Sequence, residues 1–305
     1  MDDFGQNISL TGVPEGYKSG YAAIIGKPNA GKSTLLNQIL GSRLSIITPK
    51  VQTTRHRITG IYSDKRGQIV FLDTPGILEP KYKLHENMMR AVTRSLDDAD
   101  IILFLLDPND APNEDELSWI SQKIKKTAFL IVNKVDICSE ERINEAVNIL
   151  KEKLTFKHTY IISALQGVGV EKLVNTVFEE LPEGPPFYPP DQLSEHPERF
   201  FASELIREQL FLQYQAEIPY SCAVNIVQYD QKPDIDVIDA EIVVNRKSQK
   251  GILIGKGGKA LKNLGTESRK SIEEFTGRKV YLNMHVKVRE KWRDKPGFLK
   301  DYGYD

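Results

Sequence analysis

The sequence predicts two domains: an α/β domain with a mostly parallel sheet and helices on both faces, followed by a smaller α+β domain. Three observations support this prediction. Apolar runs alternate with helical patterns between residues 21 and 180, prolines cluster between residues 181 and 197, and a different order of elements follows. The length of 305 residues agrees, because domains commonly hold roughly 100–200 residues.

Five apolar segments predict the strands of the first domain, at residues 21–25, 68–72, 100–106, 128–132 and 158–162. Helical patterns follow at about residues 32–40, 84–97, 113–126, 140–153 and 169–180. Continuous apolar strands that alternate with helices indicate a parallel sheet that is buried on both faces. A further strand at residues 57–63 is expected to pair antiparallel with residues 68–72 across a polar turn.

Residues 181–197 contain six of the 16 prolines, a density that interrupts helices and strands and gives a stiff connector. Beyond them we predict a helix at 198–214, strands at 221–229 and 236–246, two short helices around 252–275, and a strand at 279–289. The order is therefore α-β-β-α-α-β. The predicted boundaries are a flexible extension at 1–18, a first domain at 19–181, a linker at 182–197, a second domain at 198–290 and a tail at 291–305.

The composition is typical of a folded globular protein, with 40% hydrophobic and 27% charged residues. No run of 18 apolar residues predicts a membrane span, and the polar start MDDFGQNISL does not resemble a signal peptide. Two cysteines, Cys138 and Cys222, are too few for a disulfide framework or a zinc site. We therefore expect a cytoplasmic protein, and a monomer.

The net charge of −1 conceals a strong segregation of charge along the chain. Residues 186–245 hold 3 Lys and Arg against 11 Asp and Glu, whereas residues 246–300 hold 16 against 5. A basic stretch of this kind is either a solvated surface or the contact surface of an anionic partner. Its interleaved glycines and apolar residues favour the anionic partner.

Residues 26–33, GKPNAGKS, match the phosphate-binding pattern G-x-x-x-x-G-K-[ST] between an apolar strand and a helix. Its glycines let backbone N–H groups turn toward phosphate oxygens, and the helix N-terminus adds the positive end of its dipole. Lys32 can reach the β- and γ-phosphates, and the Ser33 hydroxyl can bind Mg²⁺. The predicted phosphate-binding residues are Gly26, Lys27, Pro28, Asn29, Ala30, Gly31, Lys32, Ser33 and Thr34.

Two further segments are expected to complete the phosphate and magnesium site. Asp73 ends an apolar strand and offers a carboxylate to the magnesium shell, and the N–H of Gly76 can face a γ-phosphate. A threonine in the segment PKVQTTR, residues 49–55, can bind Mg²⁺ when a γ-phosphate is present. Thr53 and Thr54 both fit, and we assign Thr54. The predicted set is Ser33, Thr54 and Asp73 for magnesium, with Asp73, Thr74, Pro75, Gly76 and Ile77 near the nucleotide.

The tetrapeptide NKVD at residues 133–136 follows another apolar strand and points to guanine. The two oxygens of Asp136 suit the N1–H and amine donors of guanine, whereas adenine would leave this carboxylate unpaired. The Lys134 stem can cover the base, and the loop after the next strand can offer an N–H to the guanine oxygen. The predicted base-binding residues are Asn133, Lys134, Val135, Asp136, Ser163 and Ala164.

Taken in order, these motifs resemble those of translation-factor-type P-loop GTPases. The stretches KPNAGKST, TTRHRITGI, DTPGI and NKVD closely resemble the Era family of the TrmE-Era-EngA-septin-like GTPase superfamily. The resemblance implies hydrolysis of GTP to GDP and phosphate with Mg²⁺. Ile77 stands where many signalling GTPases carry a water-orienting glutamine, and isoleucine cannot polarise water. Asn29 stands where related GTPases help to hold K⁺, so we assign catalytic roles to Lys32, Asn29 and Thr54.

The second domain contains G-x-x-G at residues 255–258, between the two predicted helices. This pattern within the order α-β-β-α-α-β predicts a type II KH domain, whose glycine loop lets a nucleic-acid backbone come close. Further stretches that resemble the Era family are FFASELIREQL, AEIPYS and WRDKPGFLKDYGY. The predicted RNA-binding residues are Ile254, Gly255, Lys256, Gly257, Gly258, Lys259 and Lys262.

The resemblance implies binding to the 3′ region of 16S rRNA, a role in 30S ribosomal subunit assembly and a peripheral association with the inner membrane. Three alternatives remain at this stage. A P-loop kinase or other metabolic nucleotide enzyme is disfavoured by residues 73–76 and 133–136. Another KH-linked RNA-processing GTPase would share every motif. An RNA-binding scaffold with little turnover is disfavoured by the complete phosphate and magnesium motifs.

Overall fold

The computed structural model describes residues 14–304. They divide into two compact units, which do not follow the chain continuously. The first unit comprises the chain up to Ser45, together with Arg57–Ile77 and Ala91–Glu195. The second comprises Ile46–His56, Leu78–Arg90 and the chain from His196 onward. Of the predicted extension at residues 1–18, the first thirteen positions lie outside the described residues.

The first unit is built on a six-stranded sheet in the order β2-β3-β1-β4-β5-β6. Only the β2–β3 pair is antiparallel, and every other pair is parallel. This confirms the predicted α/β fold and its antiparallel edge. The strands are β1 (Lys18–Gly26), β2 (Ile58–Asp64), β3 (Gly67–Asp73), β4 (Ile101–Leu106), β5 (Thr127–Val132) and β6 (His158–Ile161).

Five helices alternate with these strands, as the sequence predicts. Every residue of β3 and β4 is buried, because helices cover both faces of a parallel sheet. The third helix ends at Lys123, three residues before the predicted end. The helices are α1 (Lys32–Leu40), α2 (Lys83–Asp98), α3 (Glu114–Lys123), α4 (Glu140–Lys153) and α5 (Val170–Glu180).

The proline-rich connector is anchored on the first unit by hydrogen bonds. The amide of Gln68 accepts from the backbone N–H groups of Phe187 and Tyr188 over 2.8 and 3.0 Å. The N–H of Ile61 on β2 donates to the carbonyl of Leu193 over 2.8 Å. Proline cannot supply these N–H donors itself, so the non-proline residues of the connector make the contacts.

The second unit contains the predicted order α-β-β-α-α-β around a three-stranded sheet, β7-β8-β9, with two short helices that the sequence does not predict, α7 and α10. The β7–β8 pair is antiparallel and the β8–β9 pair is parallel. One helix, α9, has 18 residues and is not the short helix that the sequence pattern suggested. The elements are α6 (Glu198–Gln213), α7 (Ile218–Ser221), β7 (Ala223–Gln231), β8 (Asp236–Val244), α8 (Lys247–Ile254), α9 (Lys259–Thr276), β9 (Val280–Val288) and α10 (Pro296–Asp301).

The two discontinuous segments of the second unit pack with its core. Leu84 and Met88 on α2 belong to a buried cluster with Trp292 and Tyr304. The Arg55 guanidinium donates to the carbonyl of Cys222 over 2.7 Å. Among residues 14–304, no helix combines the length and the apolar character that a membrane span requires.

Candidate functional site

The turn from β1 to α1 forms a loop of unusual backbone conformation. It holds Asn29 at φ 61° and Gly31 at φ 100°, a left-handed region that glycine adopts freely and asparagine tolerates. A Cβ on Gly31 would lie 2.2 Å from the side-chain nitrogen of Asn133. A side chain is therefore excluded at Gly31 on two grounds, backbone strain and lack of space.

Lys32 is buried at the start of α1, and its ammonium caps the loop. The Nζ donates to the carbonyls of Gly26 and Lys27 over 3.2 and 2.8 Å. Burial lowers the pKa of Lys32 to about 8, while the charge of Asp73 opposes that shift. The Lys32 ammonium is shielded from water and surrounded by the backbone of the phosphate loop. A cation in this position favours binding of the phosphate groups of a nucleotide.

Asp73 lies at the carboxyl end of β3 with its carboxylate fully buried. Its Oδ2 accepts from the hydroxyls of Ser33 and Ser45 over 2.7 and 2.9 Å. Burial raises the pKa of Asp73, against hydrogen bonds from Ser33 and Ser45. Its Oδ1 is buried and has no partner among the described residues. An unpartnered carboxylate oxygen beside a hydroxyl is the kind of oxygen donor set that Mg²⁺ prefers, so these residues fit that ion.

The loop after Asp73 lies against the phosphate loop. The N–H of Ile77 donates to the carbonyl of Gly26 over 3.1 Å, and the Thr74 hydroxyl donates to the carbonyl of Ile24. A Cβ on Gly76 would meet the backbone nitrogen of Pro28 at 2.6 Å. Ile77 is buried and brings no polar side-chain atom to the site.

Asn133 joins the phosphate loop to the base-binding loop. Its Nδ2 donates to the carbonyl of Ala30 over 2.8 Å, and its Oδ1 accepts from the N–H of Ala164 over 2.8 Å. The predicted base-binding residues Asn133 and Ala164 are therefore in contact. Asp136, three residues after Asn133, is exposed. A salt bridge of 2.7 Å joins Lys134 to Asp107.

The two candidate threonines lie in the segment Ile46–His56 of the second unit. The Thr53 hydroxyl donates to the carbonyl of Lys50 over 2.7 Å and lies 2.7 Å from the hydroxyl of Thr48. Thr53 is buried by these contacts, whereas Thr54 is half-buried. These contacts do not decide between the two threonines, and the assignment of Thr54 as a magnesium ligand stays a prediction.

The G-x-x-G loop joins α8 to α9 and is open. Gly257 and Gly258 have φ values of 60° and 77°, yet a Cβ on either would meet no atom within 4 Å. Lys256, Lys259 and Lys262 are exposed on the loop and on the first turns of α9. Ile254 packs against the core of the second unit. The structure thus places a basic loop and a helix N-terminus on one accessible surface.

Sequence reasoning did not find three residues that support the nucleotide site, namely Asn37, Ser45 and Asp107. None of them lies in a recognisable motif. Ser45 contacts Asp73, Asp107 contacts Lys134, and Asn37 contacts Ser45.

Two family models match the chain. One is described as a 50S ribosome-binding GTPase and matches residues 21–134, and the KH domain model matches residues 217–293. GTPase Era of Alkaliphilus metalliredigens is 42% identical over 293 residues, which cover 95% of this chain and 99% of that protein. The chain belongs to the Era GTPase family. The family and the fold class predicted from the sequence are thereby confirmed.

Two solved structures of Era are similar along almost the whole chain. A variant of Aquifex aeolicus Era bound to GDP·AlF4⁻ is 39% identical, with a TM-score of 0.89, and the match covers 94% of this chain and 99% of that one. Era in complex with MgGDPNP and nucleotides 1506–1542 of 16S ribosomal RNA gives a TM-score of 0.90 at the same identity and coverage. The protein is accordingly a GTPase with a C-terminal KH domain, as the sequence predicts.

Proposed function

We propose that this GTPase is a switch that binds the 3′ region of 16S rRNA through its KH domain and assists assembly of the 30S ribosomal subunit. The observation that carries the proposal is the open, basic G-x-x-G loop in the same chain as a complete nucleotide site. The Era complex with nucleotides 1506–1542 of 16S rRNA supports the choice of RNA.

In the nucleotide site, we assign a role to each group. Lys32 stabilises the negative charge of the β- and γ-phosphates. Ser33 and Asp73 would hold the magnesium ion, which when bound would neutralise charge that develops on the phosphates. Asp136 recognises guanine, with Asn133 fixing the loops on both sides of it.

Ile77 cannot orient the attacking water, because its side chain carries no hydrogen-bonding group. We propose that K⁺, held with the help of Asn29, supplies positive charge near the phosphates in place of a protein group. Asn29 lies within the phosphate loop and has a left-handed backbone conformation, with φ 61°. Its side chain therefore belongs to the sharp turn of the loop that is expected to bind phosphate.

In the KH domain, single-stranded RNA would pass the open loop with its phosphates toward the α9 N-terminus. Lys256, Lys259 and Lys262 then contact phosphates, which sets affinity more than sequence preference. The glycines give the RNA backbone room to approach, because nothing lies within 4 Å of a Cβ at Gly257 or Gly258.

Direct binding and turnover measurements test this function. An RNA with the sequence of nucleotides 1506–1542 should bind more tightly than a scrambled RNA of equal length and composition, at one salt concentration. The same protein should release phosphate from GTP over many turnovers. Equal affinity for the two RNAs would exclude the 16S assignment, and absence of turnover would favour a binding scaffold.

Three finer expectations belong to the same proposal. Loss of the protein in cells should lead to accumulation of immature 30S particles with unprocessed 16S rRNA. Sedimentation of the purified chain tests the monomer prediction. Cosedimentation with vesicles of anionic and of neutral lipid tests the peripheral membrane association that the resemblance implies, in an otherwise cytoplasmic protein.

A further inference from the structure

Ser45 supplies the second hydroxyl that contacts the Asp73 carboxylate. Its Oγ donates to Asp73 Oδ2 over 2.9 Å, beside the 2.7 Å bond from Ser33. Asp73 and Ser45 are 0% and 1% exposed, so water does not replace either bond. Both hydroxyls contact the same oxygen, which leaves Oδ1 of Asp73 without a partner in the described part of the chain.

A single amide side chain on α1 holds Ser45 in place. Asn37 Oδ1 accepts from the N–H groups of Leu44 and Ser45 over 3.0 and 2.9 Å. Asn37 Nδ2 donates to the carbonyl of Ser45 over 2.7 Å. Both backbone polar groups of Ser45 are therefore bonded to one side chain, which sits on the same helix as Ser33.

We propose that Ser45, held by Asn37, is a positioning residue for the magnesium carboxylate of Asp73. The proposal rests on the magnesium role proposed above for Asp73 and adds the group that sets the orientation of its carboxylate. The role proposed for Ser45 is to orient the Asp73 carboxylate, not to bind the ion.

The physical need for Ser45 comes from the geometry of a carboxylate. The terminal torsion of aspartate is broad, so the bonds from Ser33 and from the Thr74 backbone leave the carboxylate some freedom to rotate. A second hydroxyl on the same oxygen restricts that rotation and directs the other oxygen to one position. Loss of the residue that orients a ligand typically weakens metal binding by about 10–100-fold.

The test measures release of a fluorescent GDP analogue from the full-length protein across a range of free Mg²⁺ concentrations. In Ser45→Ala, the Mg²⁺ concentration that half-maximally slows release should rise by about tenfold. Release in EDTA should match the wild type, since Ser45 contacts the carboxylate and not the nucleotide. Ser45→Thr retains the hydroxyl and should restore the wild-type midpoint.

Ser42→Ala is the matched control, since it removes a hydroxyl from the same loop without touching Asp73. Its midpoint should equal that of the wild type. Asn37→Asp keeps the two acceptor contacts but loses the donor to the Ser45 carbonyl, so its midpoint should rise as well. If the melting temperature of Ser45→Ala shows that this variant does not fold, Asn37→Asp tests the proposal in its place.

An unchanged midpoint in Ser45→Ala and Asn37→Asp, with a wild type that responds to Mg²⁺, would overturn this inference alone. A wild type whose GDP release ignores Mg²⁺ would overturn the magnesium site together with it. An equal change of release in EDTA and in saturating Mg²⁺ would also contradict the inference, since it would indicate a general disturbance of the nucleotide loop.

Discussion

The glycines of the nucleotide loop and those of the KH loop have similar backbone conformations but opposite surroundings. Gly31 and Gly257 both have positive φ values, of 100° and 60°. A Cβ on Gly31 would lie 2.2 Å from Asn133, whereas a Cβ on Gly257 would meet nothing within 4 Å. The first glycine is required by the protein's own packing. The second glycine faces open space, where a ligand has room to approach.

This difference indicates how each site achieves its specificity. The loops of the nucleotide site are fixed to one another, since buried side chains such as Asn133 and Asp73 join them by hydrogen bonds. Such preorganisation suits a reaction that depends on positioned charge. The KH loop carries exposed lysines and free space, which suits an extended polymer held mainly through its phosphates.

The largest effect is expected for the guanine-binding residue of the fixed site. Asp136→Asn replaces one acceptor oxygen with a donor, so guanine loses a partner while xanthine gains one. Sites that hydrogen-bond their substrate reject a mismatched analogue by about 10⁴-fold, and the GTP/XTP affinity ratio should change by that order. Calorimetry with both nucleotides measures it. An unaltered preference for GTP would remove Asp136 from base recognition.

The next effect compares the two glycines directly. Gly31→Ala should weaken GDP binding by about 100-fold, or about 2.7 kcal/mol, because the strain and the clash with Asn133 move the loop away from the geometry that binds phosphate. Gly257→Ala should leave GDP binding unchanged and lower the free energy of unfolding by about 1 kcal/mol. Titration with GDP measures the affinity of both variants, and urea unfolding measures their free energy of unfolding. Equal losses of GDP affinity would contradict the contrast between crowded and open loops.

Much of the fold was predictable because its signals are local. The strands of the first unit were predicted from continuous apolar runs, and the β2–β3 hairpin from a polar turn between two such runs. The sequence does not predict α7 and α10, which have only four and six residues. Short helices bury too little surface to leave a periodic pattern. Trp292 and Tyr304 are buried although they lie in the predicted tail, because their partners are distant in sequence.

In the candidate site, too, contacts between residues that are distant in sequence could not be predicted. Motifs located Lys32, Ser33 and Asp73, since each belongs to a short pattern with a known chemical purpose. Ser45 lies 28 residues before Asp73 and belongs to no motif, so only the folded structure reveals their contact. The grouping of Ile46–His56 with the second unit also depends on packing, as in the bonds from Lys50 to the α6 C-terminus.

A smaller effect is expected on RNA binding. Gly258→Asp puts a negative charge into the phosphate path and should weaken RNA binding by about tenfold, or 1.4 kcal/mol. Aspartate tolerates the left-handed conformation, so the fold and GDP affinity should be retained. Gly258→Asn has nearly the same shape without the charge and should lose less. Binding of the 16S RNA at fixed salt compares the three proteins, and an unaffected Gly258→Asp would exclude this loop as the RNA contact.

The smallest effect concerns the monovalent ion in the fixed site. If K⁺ compensates for the missing polar group at Ile77, GTP turnover should be roughly fivefold faster in KCl than in NaCl at equal ionic strength. This factor is smaller than the roughly 10²–10³-fold loss of kcat that follows removal of a fixed hydrogen-bond donor, because a dissolved ion exchanges with solvent. Asn29→Gly tolerates φ 61° and should abolish the K⁺ preference while GDP affinity is kept. Equal rates in both salts would mean that another group, from the protein or from bound RNA, stabilises the transition state.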